Sequence, residues 1–576
     1  KINAVALANI AKVDAVAAAA IAKINGLVFT AAAPGAFLLD TYTGAAAGYS
    51  TRRLATSATN LMRIREDAGD TETDIGYDSN NELDAAAIAT HCGTANGFVV
   101  SWVDQSGNGN DADQSTTTSQ PKIYDGTAVI TENGKPAVDF DGTNHYLLSD
   151  ATFTASDKSV QFVATPVSGT QYMWGILNNS GGSRARFYVF YTNNGSKFSF
   201  TQGDPAVDID RVHSASQTLV WQNWTNSNQR MELAVDGGVI TTATGNTTLP
   251  TGVKYMIGSM NDGTDGPFSP TAACSFQELI LWNSDEGDNR TGIEENINSD
   301  YLIYQPDTTP TSGLLADYSG SAAAYSVRQL SDKAVIALRI RRDSDDEETN
   351  IGFDSNGDLA TADISAFCGT ANGYVTRWWD QSTNGNHADQ ATDASQPQIY
   401  NGTAVITENG KPALNFDGTN SYFDVPSTQW TDGQMMASIV LTGNTADDTY
   451  WVDSNNTTFR MFNGGSEHKF IAWPLTPIVI SKGSSMASGQ LLVTGRIGTQ
   501  SEGYTLYENG SSVANTSTYT GSMPTTSLTA YIGQNNNNTQ RYGGNMQELI
   551  HWSSNQTDNR TGIETNIDTY YQIPGM

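Results

Sequence analysis

The stretch Gly97–Tyr146 returns 276 residues later as Gly373–Tyr422, and Gly126–Ala137 is identical to Gly402–Ala413 over twelve consecutive residues, GTAVITENGKPA. Chance does not produce such a match in a chain of 576 residues, so this is a tandem duplication and each copy constrains how the other is read. The openings also match, FLLDTYTGAAAGYSTRRL from Phe37 against GLLADYSGSAAAYSVRQL from Gly313, and so do the ends, Phe276–Tyr301 against Met546–Tyr571. The expected organisation is a small segment over residues 1–35, a module over 36–305, a Pro-containing linker over 306–312 and a second module over 313–576.

Within each copy the apolar pattern is that of strands. LMRIRED (Leu61–Asp67) and ALRIRRD (Ala337–Asp343) alternate apolar residues with Arg, the period-two signature of a strand with one wet face. From Val160 to Tyr255, runs such as QFVAT, RFYVFY and TLVWQ are separated by turn clusters every ~8–12 residues, a spacing of sandwiches rather than of alternating strands and helices. Short helices are expected at three places: over the alanines before Tyr49 and Tyr325, behind Asp84 as N-cap, and after the last strand, where Ile293, Ile297 and Tyr301 share a face and Arg290 can pair with Glu294. The fold class is all-β: two tandem jelly-roll sandwiches with a few short helices, preceded by a small repeat segment.

Thirty Lys plus Arg against 61 Asp plus Glu give a formal charge of −31, which repels phosphate backbones and anionic membranes and argues against a nucleic-acid partner. Cys92 and Cys368 are equivalents in separate copies and Cys274 stands alone, so no disulfide framework follows and all three read as buried thiols. The longest apolar run, Ala15–Ala22, is far short of the ~20 residues that cross a bilayer. Lys1 is not an initiator residue, which leaves a lost leader open.

Residues 1–29 carry a smaller repeat, with Lys1, Lys12 and Lys23 spaced by eleven. As a helix, that period favours right-handed supercoiling of several chains around Val5, Ile10, Val16 and Ile21; in the rival reading each Asn/Asp-Ala/Gly pair turns between short strands. Either way the segment needs a neighbour to bury its apolar side, and it is expected to anchor or oligomerise the chain, a trimer being the guess from fibres.

Two further groups are candidates for sites. The blocks holding Asp104, Asn108 and Asn110 and holding Asp380, Asn384 and Asn386 are dense in oxygen ligands that can take Ca²⁺, although no cofactor is required and a hydrogen-bonded turn explains the same residues. Trp102/Trp378, Trp174/Trp451 and Trp282/Trp552 are matched and read as core, whereas Trp221, Trp224, Trp379, Trp430 and Trp473 have no counterpart. Of these, Trp221, Trp224 and Trp473 are the candidate carbohydrate-stacking residues, with Trp221 and Trp224 expected as a surface pair.

WVDQSGNGNDADQ followed by NGKPAVDFDGTNHYL resembles the concanavalin A-like, laminin-G-like jelly-roll modules of phage virion and bacterial surface proteins and of the catalytic domain of family 54 α-L-arabinofuranosidases, and the terminal NRTGIEENI helix fits the phage and surface-protein members. The resemblance implies, for an enzyme, an acid shortly after an Ile/Leu-Gly pair, where Asp262 stands in copy one and Asn537 in copy two. It also implies a Glu nucleophile on a strand that reads MWGILNNSGG in one copy and YWVDSNNTT in the other, where Asp453 is the sole carboxylate. With neither copy completing that pair, the expectation is a non-enzymatic virion protein, a fibre or capsid decoration on the virion surface that binds other virion subunits and host-surface glycans. The alternatives are a secreted or surface-attached glycoside hydrolase acting on arabinose-containing polysaccharide, and a bacterial adhesin.

Overall fold

In the computed structural model the described residues are 37–576 apart from 155, 168, 179–184, 193–195, 214, 247–248, 269–270, 307–308, 429–433, 444–448, 454–458, 464–466, 473–477, 484–488, 517, 519–527 and 536–539, together with 23–24 and 27–28. Side chains at 23–24, 27–28, 426–428, 443, 451–453, 459, 472 and 528–529 also lie outside the description. The chain divides into two units, Lys1–Ile297 and Asn298–Met576, so the boundary falls inside the helix Arg290–Tyr301.

Each unit is a two-layered antiparallel sandwich, the jelly roll expected. In the first unit one sheet runs through strands 207–212, 197–202, 185–192, 171–178, 254–257, 147–152, 112–113, 96–102, 62–66 and 72–75. The other runs through 241–244, 230–235, 218–225, 158–166 and 273–282, with 45–50 and 138–141 sharing the far edge of 273–282. Strand 122–125 pairs with both 96–102 and 138–141 and joins the layers. The second unit repeats this order, from 478–481 to 348–352 in one layer and from 511–516 to 321–326 in the other. Alternate residues meet between the layers, as Ile64, Phe162, Phe187 and Phe276 do in the first unit and Ile340, Phe416, Ile439 and Leu549 in the second, all at most 1% exposed. The cysteines are free and buried.

The expected helix at Asp84 forms over Ala85–Cys92, with the Asp84 carboxylate accepting from Ala87 N at 2.9 Å. The expected helices over the alanines do not: Ala45–Ser50 and Ser321–Ser326 are strands. Alanine's helix propensity is worth a few tenths of a kcal/mol per residue, and the pairing of Ala47 with Leu281 and Ala323 with His551 overrides it.

The repeated sequence blocks are the joints of this scaffold. In GTAVITENGKPA, Asn133 and Gly134 both take positive φ (51° and 73°), the two-residue hairpin turn that suits twisted strands. The Gln277 amide then donates to the carbonyls of Glu132, Lys135 and Pro136 (3.0, 3.2 and 3.3 Å), and Gln547 does the same to Glu408, Lys411 and Pro412. Arg52 and Glu278 form a buried ion pair at 2.8 Å that Ser50 joins, and Arg328, Glu548 and Ser326 repeat it.

Candidate functional site

The DQSGNGN block is spent on the backbone. Asp104 accepts from the amides of Gly48 (2.8 Å), Ser106 (2.8 Å) and Asn110 (3.0 Å) and from the Ser106 hydroxyl (2.8 Å). Asn108 and Asn110 donate to carbonyls of Ala45 and Ala46. Asp380, Asn384 and Asn386 repeat the pattern on Ala324, Ser382, Ser321 and Ala322, with Asp380 fully buried. These are the contacts of a turn stapled to the first strand. Among the described residues no group of three or more His, Cys, Asp or Glu could hold a metal ion.

The expected surface pair Trp221 and Trp224 is an interior pair, each 0% exposed. Strand Thr218–Thr225 is covered on both faces: Trp224 points into the core, and the Arg290 guanidinium of the closing helix lies 5.2 Å over the Trp221 ring. Trp473 and Val5, Ile10, Val16 and Ile21 lie outside the described residues. Nearby, Lys23–Ile24 pairs antiparallel with Leu27–Val28, the strand reading of the last repeat rather than the helical one.

Asp262 is a turn residue. Its carboxylate accepts from Thr264 N (2.8 Å), Thr264 Oγ1 (2.7 Å) and Gly266 N (3.3 Å), and these bonds hold it below the usual carboxylate range against the opposing effect of burial. The Asp453 backbone sits opposite Ala530, and its side chain lies outside the description.

A different pair of carboxylates comes together in the second unit. Arg339, Arg377, Asp389, Asp424 and Tyr531 are successive cross-strand partners in one row of the sheet. Their chain neighbours Trp378, Ala388, Phe423, Val425 and Ile532 are buried in the core, so the row faces outward. Direct cross-strand partners hold their Cβ atoms about 4.5–5.5 Å apart, which sets the Asp389 and Asp424 carboxyls side by side. Arg377 donates to Asp389 through two of its nitrogens, Nε to Oδ1 at 2.5 Å and Nη2 to Oδ2 at 3.1 Å. The Asp424 carboxyl is pushed up by desolvation and then by the charge of Asp389. The two neighbouring carboxyls thereby differ, one charge-paired with Arg377 and the other with its pKa raised.

Tyrosines close one side of the pair. Tyr531 packs edge-on against Tyr422 with ring centroids 6.3 Å apart, and Arg541 lies 4.7 Å over the Tyr422 ring. On the other side Arg377 and Arg339 stand 5.0 and 5.9 Å over Trp379. In the first unit the same register holds Ser101, Asp113, Leu148 and Met256, so Leu148 stands where Asp424 does and Met256 where Tyr531 does. Sequence reasoning passed over Asp424. The available signal was a charge appearing in SYFDVPST where the other copy reads HYLLSDAT.

Residues 311–462 match the family model of the catalytic domain of alpha-L-arabinofuranosidase B, a stretch that contains both Asp389 and Asp424. A solved GH54 α-L-arabinofuranosidase soaked with a cyclic sulfate inhibitor is 14% identical over 65% of this chain and 80% of its own, with a TM-score of 0.36. An arabinofuranosidase complexed with arabinofuranosyl-α-1,2-xylobiose is 13% identical over 84% and 91%, with a TM-score of 0.37. Domains LG4-5 of the mouse laminin α1 chain are 11% identical over 72% and 87%, with a TM-score of 0.23. A comparison with curated proteins finds no match. The match to a catalytic-domain model overturns the expectation of a non-enzymatic virion protein. Residues 311–462 of the second unit are similar to the catalytic domain of α-L-arabinofuranosidase B.

Proposed function

We propose that the second unit is a glycoside hydrolase acting on arabinose-containing polysaccharide, with Asp389 and Asp424 as its working carboxyls. The observation that carries this reading is the cross-strand juxtaposition of the two inside the stretch that resembles a catalytic domain. Retaining glycosidases bring their carboxyls closer together, about 5–5.5 Å, than inverting ones, about 6.5–9.5 Å, and directly paired residues on adjacent strands favour the closer arrangement. Asp424, its pKa raised by desolvation and by the charge of Asp389, donates its proton to the leaving oxygen as the glycosidic bond breaks. Asp389, positioned by Arg377, attacks the anomeric carbon and forms a glycosyl ester. The Asp424 carboxylate then takes a proton from water as that water cleaves the ester, which restores both groups. Tyr531, the cross-strand partner of Asp424, offers apolar contact beside the pair for the sugar.

The test is hydrolysis of 4-nitrophenyl α-L-arabinofuranoside by the full chain. Loss of general-acid catalysis costs about 10²–10⁴-fold, so Asp424→Asn should lower kcat/KM on a natural arabinoside by that factor and less on the aryl substrate, whose leaving group needs little protonation. Asp389→Asn should abolish both. An active wild type untouched by either substitution would remove these residues from the mechanism, and an inactive one would remove the reading.

A further inference from the structure

The two copies differ at a second place, on the outward face of the first unit. Strand Ala185–Thr192 alternates buried Phe187, Val189 and Tyr191 with half-exposed Arg186, Tyr188 and Phe190. Tyr172 is the cross-strand partner of Phe190, and Phe268 reaches the same face. The four rings pack on one another, Tyr172 edge to face with Tyr188 (5.5 Å) and Phe268 (5.8 Å) and tilted to Phe190 (5.9 Å), and Tyr188 tilted to Phe190 (6.1 Å). None of them belongs to the core cluster. Gly175, opposite Tyr188 with φ 138°, lets the two strands approach closely there, since a Cβ would come within 2.3 Å of the Tyr188 Cβ and 2.5 Å of its Cα.

Polar groups border the rings. Arg186 donates to the Gly203 carbonyl at 3.1 Å and approaches Asp204 at 3.5 Å, and Thr201, the cross-strand partner of Tyr188, donates to Asp208 at 2.6 Å. In the second unit the positions of Tyr172 and Tyr188 are held by Thr449 and Arg460, and Arg460 covers Phe462 at 4.1 Å. The copy without the carboxylate pair carries both tyrosines, and the copy with the pair has lost both while Phe462 keeps the place of Phe190.

We infer that Tyr172, Tyr188, Phe190 and Phe268 form a binding platform for a neutral polysaccharide strand. Rings packed on one another present fixed apolar surface for the C–H faces of sugar rings, and a border of guanidinium and carboxylate can both donate to and accept from sugar hydroxyls. Charge decides between occupants: a chain of net charge −31 repels anionic polymers and a second copy of itself at long range, whereas a neutral glycan meets no such barrier. The choice of arabinose-containing probes rests on the function proposed above; the platform itself does not.

The test uses the full chain with Asp424→Asn, so that turnover does not erode the ligand, in affinity electrophoresis through gels containing soluble arabinoxylan or linear arabinan. Retardation is expected in at least one, and Tyr172→Ala with Tyr188→Ala should weaken it at least about tenfold, the scale of losing central aromatic contacts. Phe268→Ala, which removes a half-exposed ring from a two-residue strand, should weaken it severalfold while the melting profile stays unchanged. Retardation that survives both changes, its absence in both gels, or a dimer in sedimentation that the Tyr substitutions dissolve would each overturn the platform. If platform variants lose retardation but the wild type does not cleave the aryl arabinofuranoside, the proposed function fails alone. If cleavage depends on Asp424 while retardation ignores the tyrosines, the platform fails alone.

Discussion

Replacing Arg328 by Met is expected to be among the most damaging single changes in the second unit. Glu548 is fully buried, with Oε2 accepting from Arg328 Nε (2.8 Å), Ser326 Oγ (2.7 Å) and Tyr571 Oη (3.3 Å), and Oε1 accepting from Arg328 Nη2 (3.0 Å). Without the guanidinium the carboxylate keeps two hydroxyls and loses its charge partner. Breaking a buried pair from one side costs about 3–5 kcal/mol, and at about 2–4 °C per kcal/mol for a domain of this size the second unit's melting transition should fall by about 6–20 °C. Arg328 also donates to Asn566 at 2.8 Å and lies 5.2 Å over Tyr570, so the closing helix Arg560–Tyr571 should loosen with it. Replacing both partners, Arg328→Met with Glu548→Met, removes the stranded charge and should restore most of the loss, because apolar substitutes for a buried pair are often neutral. Differential scanning calorimetry of the full chain reads both changes. A single substitution costing less than about 1 kcal/mol, or a double one costing the sum of the two singles, would refute the reasoning, since coupled partners are not additive.

Other outcomes follow from the same structure. Gln277→Glu faces three carbonyls with an acceptor in place of a donor and should destabilise the first unit by about 1–3 kcal/mol, read by urea titration. Burial pushes the Glu294 carboxyl up to about 7 against the opposing pull of Arg290. The folded state therefore keeps a proton that the unfolded chain has lost between about pH 4.5 and 7, so this group makes the first unit less stable as pH rises through that window, and Glu294→Gln should flatten that slope in melts taken across it. Calorimetric titration with Ca²⁺ should give no binding heat at the DQSGNGN block, because its carboxylates already hold backbone amides. In the proposed mechanism Asp424 must be protonated to act, so activity should fall as pH rises above its elevated pKa, and Asp424→Asn should erase that limb of the profile.

What sequence alone determined here is whatever repeats or alternates locally. The duplication, the strand at Leu61–Asp67, the Asp84 cap and the apolar stripe Ile293, Ile297 and Tyr301 all depend on residues a few positions apart, and they stand in the structure as expected. The tertiary structure decided which side chains meet across strands. Asp389 and Asp424 are 35 positions apart and share a face only through register; a one-residue slip in either strand would turn its carboxyl toward the core. Trp221 looked like a surface residue because nothing in TLVWQNWT tells that a helix beginning 69 positions later covers it. Tyr172, Tyr188, Phe190 and Phe268 read as four strand aromatics until pairing gathered them on one wet face. Periodicity is fixed by the geometry of a single strand, whereas a site is fixed by the neighbours that strand acquires on folding.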